Sequence, residues 1–229
     1  MRYSVLIIAM ACFFAAQAQN YQDSVMLLNG KTFRGNVVKQ TNEYLTINSL
    51  KKKGKPETQL NIETYRVYSY VQNGLEKVVY KYDSLSDNFL TADQSRSFSL
   101  GSYDAHNYYE SKAVFISSTA ISLGFCLFDT YLTEAEKNSA TEPEGLEVGF
   151  FGRSPGIWPI ASVLVLPITF GLPSTKVRTK NLQNGVRGDK YYYSGFNNTA
   201  RQKRSFSALK GAATGLVLGY ASYFIANSN

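Results

Sequence analysis

The sequence predicts an α+β protein, with a small SH3-like β-barrel or roll followed by an α-helical membrane-associated hairpin or three-helix region. Three observations predict this architecture. Short strand-like segments joined by Asn-Gly turns occupy residues 19–86, three apolar segments lie within 113–229, and an apolar leader precedes both. A run of strands followed by a run of helices is typical of the α+β class. Residues 87–112 are predicted to form a helical linker between the two parts.

Residues 1–18 are predicted to be a secretory signal peptide. Arg2 supplies a positive start, and an apolar run extends from Val5 to Ala16. Ala16 and Ala18 are the small residues that signal peptidase needs at −3 and −1. The run of about 12 residues is shorter than the roughly 20 that a membrane span needs. We therefore expect cleavage after Ala18, with an uncleaved N-terminal anchor as the alternative.

Two Asn-Gly pairs organise the predicted β module. Asn29-Gly30 separates a run that begins at Ser24 from one that ends at Lys39, and Asn73-Gly74 lies at the centre of residues 65–82. Asn-Gly between apolar runs favours a two-residue type I′ turn, because both central residues of that turn need φ > 0. Two further strands are predicted at 44–48 and 58–62.

The second Asn-Gly turn predicts a hairpin in which Val71 pairs with Glu76, Ser69 with Val78, Val67 with Tyr80 and Tyr65 with Tyr82. The alternation of a strand then divides the side chains into two faces. One face carries Tyr65, Val67, Val78, Tyr80 and Tyr82, and the other is a candidate partner face formed by Arg66, Tyr68, Tyr70, Lys77 and Lys81. Tyrosines beside basic residues suit an acidic partner or a glycan, although a half-exposed strand with water-tolerant aromatic rings is the simpler interpretation.

The three apolar segments are candidate membrane spans at 113–132, 157–172 and 208–226. Hydroxyl side chains in the first segment can bond to the carbonyls of their own helix; they are Ser117, Ser118, Thr119 and Ser122. Because glycine, serine and proline weaken each segment, a peripheral helical domain that buries the segments against each other is the alternative.

Every fourth residue in part of the third segment is glycine. Gly211, Gly215 and Gly219 therefore share one helical face, and such small-xxx-small faces let a second helix approach closely. Self-association through this face is one interpretation. We prefer packing against the other two segments of the same chain.

Earlier in the chain, Gly101 is predicted to end a helix, and Ser102 and Asp104 are predicted to begin another. We expect this second helix to continue into the first apolar segment.

Charge is unevenly distributed along the chain. The formal net charge is +7, while residues 133–156 carry −3 and residues 173–207 carry +7. The basic stretch is predicted to contact anionic lipid or to form a solvated loop, whereas an exported chain rarely meets nucleic acid. Three spans would leave this stretch on the exported side, against the usual cytoplasmic preference of Lys and Arg. If only two of the three segments span and one lies re-entrant or in the interface, the basic stretch can be cytoplasmic and the conflict disappears.

No catalytic or metal-binding pattern is found in the sequence. His106 is the only histidine and stands in no recognisable motif, and removal of the leader with Cys12 leaves Cys126 as the only cysteine. Nucleophilic triads and zinc sites need more such residues at set spacings. The sequence therefore predicts no enzyme, no metal, no cofactor and no intramolecular disulfide.

The stretch Asp23-Ser-Val-Met-Leu-Leu-Asn-Gly-Lys-Thr-Phe-Arg-Gly-Asn-Val-Val resembles the start of a small β module in many exported Bacteroidota-type proteins of unknown function. Later stretches are also similar to such proteins: Asn88-Phe-Leu-Thr, residues 101–105, Tyr193-Ser-Gly-Phe, Ala200-Arg201 and the glycine-spaced tail. The resemblance implies an uncharacterised cell-envelope protein and brings no activity or site residues with it.

Together these features favour a non-enzymatic cell-envelope membrane protein with an interaction or structural role. The expected location is the inner membrane with the β module in the periplasm, and a periplasmic or outer-membrane-associated protein is the alternative. The expected partners are the lipid bilayer and either another envelope protein or a second copy, with no nucleic acid. A transporter or channel accessory subunit, packing through the glycine-faced helix, is the alternative function. The hydroxyl residues of the first segment would then line its path: Ser117, Ser118, Thr119 and Ser122.

Overall fold

The computed structural model describes residues 23–49, 58–86, 88–138, 157–174 and 189–226. Its strands are β1 Ser24–Leu27, β2 Thr32–Gln40, β3 Tyr44–Ser49, β4 Thr58–Glu63, β5 Val67–Gln72 and β6 Leu75–Val78. Its helices are α1 Ala92–Tyr108, α2 Lys112–Asn138, α3 Ile157–Gly171 and α4 Lys190–Ala226. A sheet followed by helices confirms the α+β class. The predicted signal peptide lies outside the described residues.

The six strands form one antiparallel sheet in the order β4-β3-β2-β1-β5-β6. β4 and β6 form its two edges, so the sheet is open and the predicted closure into an SH3-like barrel is not confirmed. The hairpin explains why β6 is short. Beyond Val78, the N–H groups of Val79 and Tyr80 both donate to the carbonyl of Tyr68, at 2.9 and 3.1 Å. The regular ladder between β5 and β6 therefore ends at Val78.

The two Asn-Gly pairs form different turns. At the second, φ is 53° for Asn73 and 79° for Gly74, as a type I′ turn requires. The predicted pairs of Val71 with Glu76 and of Ser69 with Val78 are confirmed. The predicted pairs of Val67 with Tyr80 and of Tyr65 with Tyr82 are wrong, because β6 ends at Val78. At the first turn, the Leu27 N–H donates to the Lys31 carbonyl, which makes a three-residue loop that ends in Gly30 at φ 76°. Such loops place glycine at their left-handed position.

One apolar cluster fills the inner face of the sheet. It consists of Val25, Leu27, Val37, Leu45, Ile47, Ile62, Val67 and Tyr70. The buried Asp23 carboxylate fastens two parts of the sheet, because its oxygens accept the backbone N–H groups of Val37 and Asn73, each at 3.0 Å. A buried carboxylate bonded in this way is satisfied and contributes to the fold.

Helix α1 packs on the outer face of the sheet. It begins at a capping box, in which Thr91 accepts the Gln94 N–H and the Gln94 side chain accepts the Thr91 N–H. Midway along, Ser99 Oγ donates to the Leu28 carbonyl at 3.1 Å. A Cβ added at Gly30 would overlap the backbone at Ser102 and Tyr103. The β module and α1 are therefore in direct contact at the first turn.

Helix α4 packs on α1 with its first half and on α2 and α3 with its second half. At the crossing with α1, a Cβ on Gly101 would overlap the Tyr192 carbonyl, and one on Gly195 would overlap the Phe98 carbonyl. The prediction that Gly101 ends a helix is therefore wrong, because this glycine lies within α1 and permits close approach. α1 ends at Tyr108 and α2 begins at Lys112, so the expected continuous helix is also wrong.

Candidate functional site

The outer surface of the three-helix region, defined as α2, α3 and residues 205–226 of α4, is apolar. Large hydrophobic side chains are exposed on every one of its helices: Ile116, Phe125, Leu127 and Phe128 on α2, Leu164, Val165 and Ile168 on α3, and Phe206, Val217, Leu218 and Ile225 on α4. Soluble monomers rarely expose so much contiguous apolar surface, and large patches mark protein or membrane interaction sites.

One part of this surface meets the length and composition of a membrane span. Lys112–Asp129, 18 residues long, is the one described segment that does so, and 17% of it is buried. The core helix of a soluble protein meets the same criterion, but such a helix is mostly buried. Pro159–Gly171 adds a shorter apolar helix.

The interior of the three-helix region is built from small residues. A Cβ on Gly211 would overlap Ser118 Oγ and the Phe115 carbonyl, and one on Gly219 would overlap Cys126. Gly215 faces the Thr119 carbonyl and Ser122 in the same way. The structure therefore places all three glycines against α2 of the same chain, where any side chain would push the helices apart.

Hydroxyl groups accompany the glycines in this interior. Ser118 and Ser122 are fully buried. Ser122 Oγ donates to the Ala212 carbonyl at 2.9 Å and lies 3.0 Å from Ser162 Oγ. Ser117, by contrast, is exposed on the outer face of α2, and Thr119 Oγ1 donates to the Phe115 carbonyl of its own helix. The four hydroxyl residues therefore do not line one common path.

Basic residues of α4 bond to the carboxyl ends of two other helices. Lys203 Nζ donates to the carbonyls of Ala105, His106 and Tyr109 at 3.1, 3.0 and 2.5 Å. Arg201 Nε donates to the Gly171 carbonyl at 2.8 Å, and Arg204 donates to the Pro173 carbonyl. Cations at these positions satisfy the last carbonyls and complement the helix dipole. Part of the basic stretch predicted for lipid or solvent therefore caps α1 and α3.

Two ionisable side chains of α4, Lys203 and Tyr192, lie in buried surroundings. Burial lowers the pKa of Lys203, although the Glu110 carboxylate raises it in part. The Tyr192 hydroxyl donates to Asp104 Oδ2 at 2.5 Å, and burial together with this bond raises the Tyr192 pKa. Both groups join α1 to α4, so they hold the linker helix to the first half of α4.

The five residues of the candidate partner face do not share one exposed surface. Tyr68 and Tyr70 are each 3% exposed. The Tyr70 hydroxyl donates to Gln40 Oε1 at 2.7 Å within the module, whereas Tyr68 lies beside the start of α1, and burial raises its pKa. A register shift in the β1–β5 pairing, opposite Met26 and Leu27, interrupts the alternation on which the prediction depended.

The three basic members of that set are exposed at separate places. Arg66 Nη1 pairs with the Glu63 carboxylate at 3.5 Å. Lys77 Nζ lies 5.7 Å from the centre of the Tyr70 ring, within the range of a cation–π contact. Lys81 lines a cavity at the open end of the sheet. Salt bridges at such exposed positions contribute little to stability.

The single histidine faces the first turn of the β module. Burial lowers the His106 pKa, the cationic side chains of Lys31 and Lys203 lower it further, and a hydrogen bond with the Asn29 backbone opposes them. In the parts of the chain that the structure describes, no three His, Cys, Asp or Glu residues are grouped to hold a metal ion.

A cavity of about 700 Å³ opens beside β6 and the β2–β3 turn. Its lining includes Gln40, Asn42, Tyr65, Val67, Tyr80 and Lys81. The Tyr65 side chain is 71% exposed, and its hydroxyl donates to Glu63 Oε2 at 2.8 Å. The sequence contained a signal for this site, because the period-two pattern placed Tyr65 and Tyr80 on one face. The prediction selected the opposite face because basic residues accompany the tyrosines there.

Comparisons of the chain with protein-family models, with curated proteins and with solved structures find no match.

Proposed function

We propose that this chain is a non-enzymatic membrane protein of the cell envelope. Its three-helix region serves as the anchor, and its β module is held at the membrane for an interaction or structural role. The observation that supports the proposal is the inverted polarity of the three-helix region. Gly215, Ser118 and Ser122 are buried there, while Ile116 and Val217 are each 66% exposed. Packing of small residues inside and apolar side chains outside is typical of helices in lipid.

Helix lengths are compatible with a bilayer whose hydrocarbon core is about 30 Å thick. Lys112–Asp129 has 18 residues, and at 1.5 Å per residue it rises about 27 Å. α3 has 15 residues and rises only about 22 Å. Local thinning of the bilayer, or a partly re-entrant position, accommodates so short a helix.

The helix ends support a common entry level for the three helices. The hydroxyl oxygen of Ser111, just before α2, lies 2.5 Å from the hydroxyl oxygen of Ser207 on α4. The carbonyl of Gly171, the last residue of α3, accepts a hydrogen bond from Arg201 of α4. Thus α2 leads away from the β module, α3 returns and α4 leads away again. In a bilayer, the end of α2 and the start of α3 would lie on the side opposite the β module.

The proposed location is the inner membrane, with the β module in the periplasm as the leader at 1–18 predicts. This orientation leaves the basic stretch at 173–207 on the exported side, against the usual tendency. Part of this positive charge has a separate cause. Arg201, Lys203 and Arg204 cap helices, and packing fixes their positions. Association with the outer membrane, or a peripheral position in the periplasm, is the alternative.

The proposed partner of the apolar surface is the bilayer itself. The glycine face is occupied by α2, so self-association through that face would require α2 to leave. The alternative of a channel or transporter subunit is weaker, because its predicted path needs inward-facing hydroxyls and Ser117 faces outward. Membership of the Bacteroidota-type exported proteins remains a prediction.

Fractionation followed by alkaline carbonate extraction tests the proposal with the full-length chain. We expect the protein to remain in the membrane pellet after carbonate and to enter solution only with detergent, because lipid-embedded helices resist extraction. Release of a monomer by carbonate alone, or recovery in the soluble fraction, would contradict the anchor.

A further inference from the structure

The cavity at the open end of the β module has mixed apolar and polar walls. Val67 and Val79 form part of its lining, and the exposed ring of Tyr65 stands at its wall. Its volume of about 700 Å³ falls in the range of about 300–1,000 Å³ that small-molecule sites occupy. Apolar surface beside a few placed polar groups is the usual composition of such a site.

The polar groups of the cavity are mostly uncharged. Carboxamides are contributed by Gln40, Asn42 and Asn88, and each can both donate and accept hydrogen bonds. Gln40 Oε1 already accepts the Tyr70 hydroxyl at 2.7 Å, an orientation that leaves its Nε2 as the donor. Lys81 and Asp83 contribute one charge of each sign. The cavity therefore suits a neutral ligand rich in hydroxyl or amide groups rather than an acidic polymer.

The cavity belongs to the β module and to the segment that leads into α1. The Tyr80 hydroxyl donates to the Leu90 carbonyl at 2.8 Å, which places this wall beside the first residues of α1. The three-helix region begins after the other end of α1, a helix of 17 residues that is roughly 25 Å long. A ligand in the cavity would thus be held by residues outside the three-helix region.

We propose that this cavity binds an oligosaccharide of acetamido sugars. The Tyr65 ring offers a flat apolar surface to the C–H face of a sugar ring. The acetamido methyl group fits beside the half-buried Val79, and the amide and hydroxyl groups pair with the three carboxamides. A peptide that adds a strand would pair instead along β6 at Leu75–Val78. The inference goes beyond membrane anchoring and does not depend on it, since the cavity is formed by the β module and residues 79–88.

The test uses the full-length chain in detergent micelles, titrated calorimetrically with chitotetraose, the β-1,4 tetramer of N-acetylglucosamine. Cellotetraose has the same linkage without acetamido groups and serves as the matched probe. We expect saturable binding of chitotetraose and at least about tenfold weaker binding of cellotetraose, because a hydroxyl in place of each acetamido group gives up the methyl contact with Val79 and the amide hydrogen bonds. The result reports on the cavity whether or not the helices prove to span a membrane.

Variants then locate the binding site. Tyr65→Ala should weaken chitotetraose binding at least about tenfold, and Tyr65→Phe should preserve it because the ring remains. Tyr108→Ala removes another exposed tyrosine at the far end of α1 and should bind as the unmodified chain does. No saturable binding, equal affinity for the two saccharides, or an affinity unchanged by Tyr65→Ala would overturn the proposal. So would saturation by an extended Val/Thr-rich nonapeptide in place of the saccharide.

Discussion

The β module and the three-helix region bury opposite kinds of side chain. In the β module, Leu45 and Ile47 are fully buried and the exposed strand positions are largely polar. In the three-helix region, Ser118 and Ser122 are fully buried and the large aliphatic side chains face outward. Water drives apolar side chains into a core, whereas lipid provides no such force and helices associate through close packing of small residues. The proposed membrane anchor accounts for this difference, because it gives the two regions of one chain different solvents.

Helix α4 shows where the kind of packing changes along the chain. Its first half buries Tyr192 and Phe196, while its second half buries Ala208, Ala212 and the glycines. The residues between these halves cap α1 and α3. The caps therefore lie at the boundary between the two packing modes, where helix ends need polar partners.

The largest contrast is expected when one isoleucine in each region is truncated. Ile47→Ala should lower the free energy of unfolding of the β module by about 2–5 kcal/mol, through lost burial and the cavity left behind. Ile116→Ala should cost less than about 1 kcal/mol, because an outward side chain loses only lipid contact. Denaturant titration in micelles, followed by circular dichroism, measures both. Equal losses would show that Ile116 is packed as Ile47 is.

A charge on the outer face should distinguish the regions next most strongly. Val217→Arg places a cation midway along the predicted span at 208–226 and should raise the cost of membrane insertion by about 2.5–3.5 kcal/mol. The carbonate-resistant fraction of the expressed chain measures this cost. Leu85→Arg is the control, because Leu85 is 97% exposed in the β module and should change stability by no more than about 0.5 kcal/mol. An unchanged carbonate-resistant fraction in both variants would contradict the expected difference between the two regions.

Replacing single glycines of the helices by alanine should change stability by less, and with opposite sign at two positions. Gly215→Ala should destabilise the three-helix region by about 1–3 kcal/mol, because the new methyl group meets the α2 backbone. At Gly124, on α2, a Cβ would meet nothing within 4 Å, so Gly124→Ala should stabilise by roughly 0.5–1 kcal/mol through helix propensity. Thermal unfolding in micelles measures the two variants side by side. Stabilisation by both would mean that the α2–α4 contact is looser than described.

The smallest expected effect is a pH dependence at the contact between α1 and the β module. Burial lowers the His106 pKa in the folded chain, while the unfolded chain keeps a value near about 6.5. Between these two values the unfolded state binds more protons, so stability falls as the pH drops below about 6.5. In His106→Gln this part of the slope should disappear, and stability measured at several pH values tests the difference. Identical slopes in both proteins would exclude the effect.

Local patterns predicted the elements well, because they depend on neighbours in sequence. The Asn73-Gly74 turn and the α+β order follow from short-range backbone preference and apolar periodicity. Features that depend on distant partners were missed. The register shift opposite Met26 and Leu27 contributes to burying Tyr68 and Tyr70, and no signal within 65–82 reveals it.

The roles of two further residues could be assigned only from the folded chain. Gly101 has the same sequence signature whether it ends a helix or lets another helix approach, and only the position of Tyr192 decides between them. Likewise, the charge of Lys203 suggested lipid or solvent, but three carbonyls of α1 surround its ammonium group. The residues that surround Gly101 and Lys203 in the sequence reveal neither of these partners, because both lie far away along the chain.

A matched pair of spin labels tests most directly whether the two regions face different solvents. Val217→Cys and Val38→Cys each replace an exposed valine, one on α4 and one on β2, in a chain that also carries Cys12→Ala and Cys126→Ser. In reconstituted bilayers, we expect oxygen, which concentrates in lipid, to relax the label at position 217 more than a water-soluble nickel complex does. The label at position 38 should show the reverse. Equal access of the nickel complex to both labels would contradict the account.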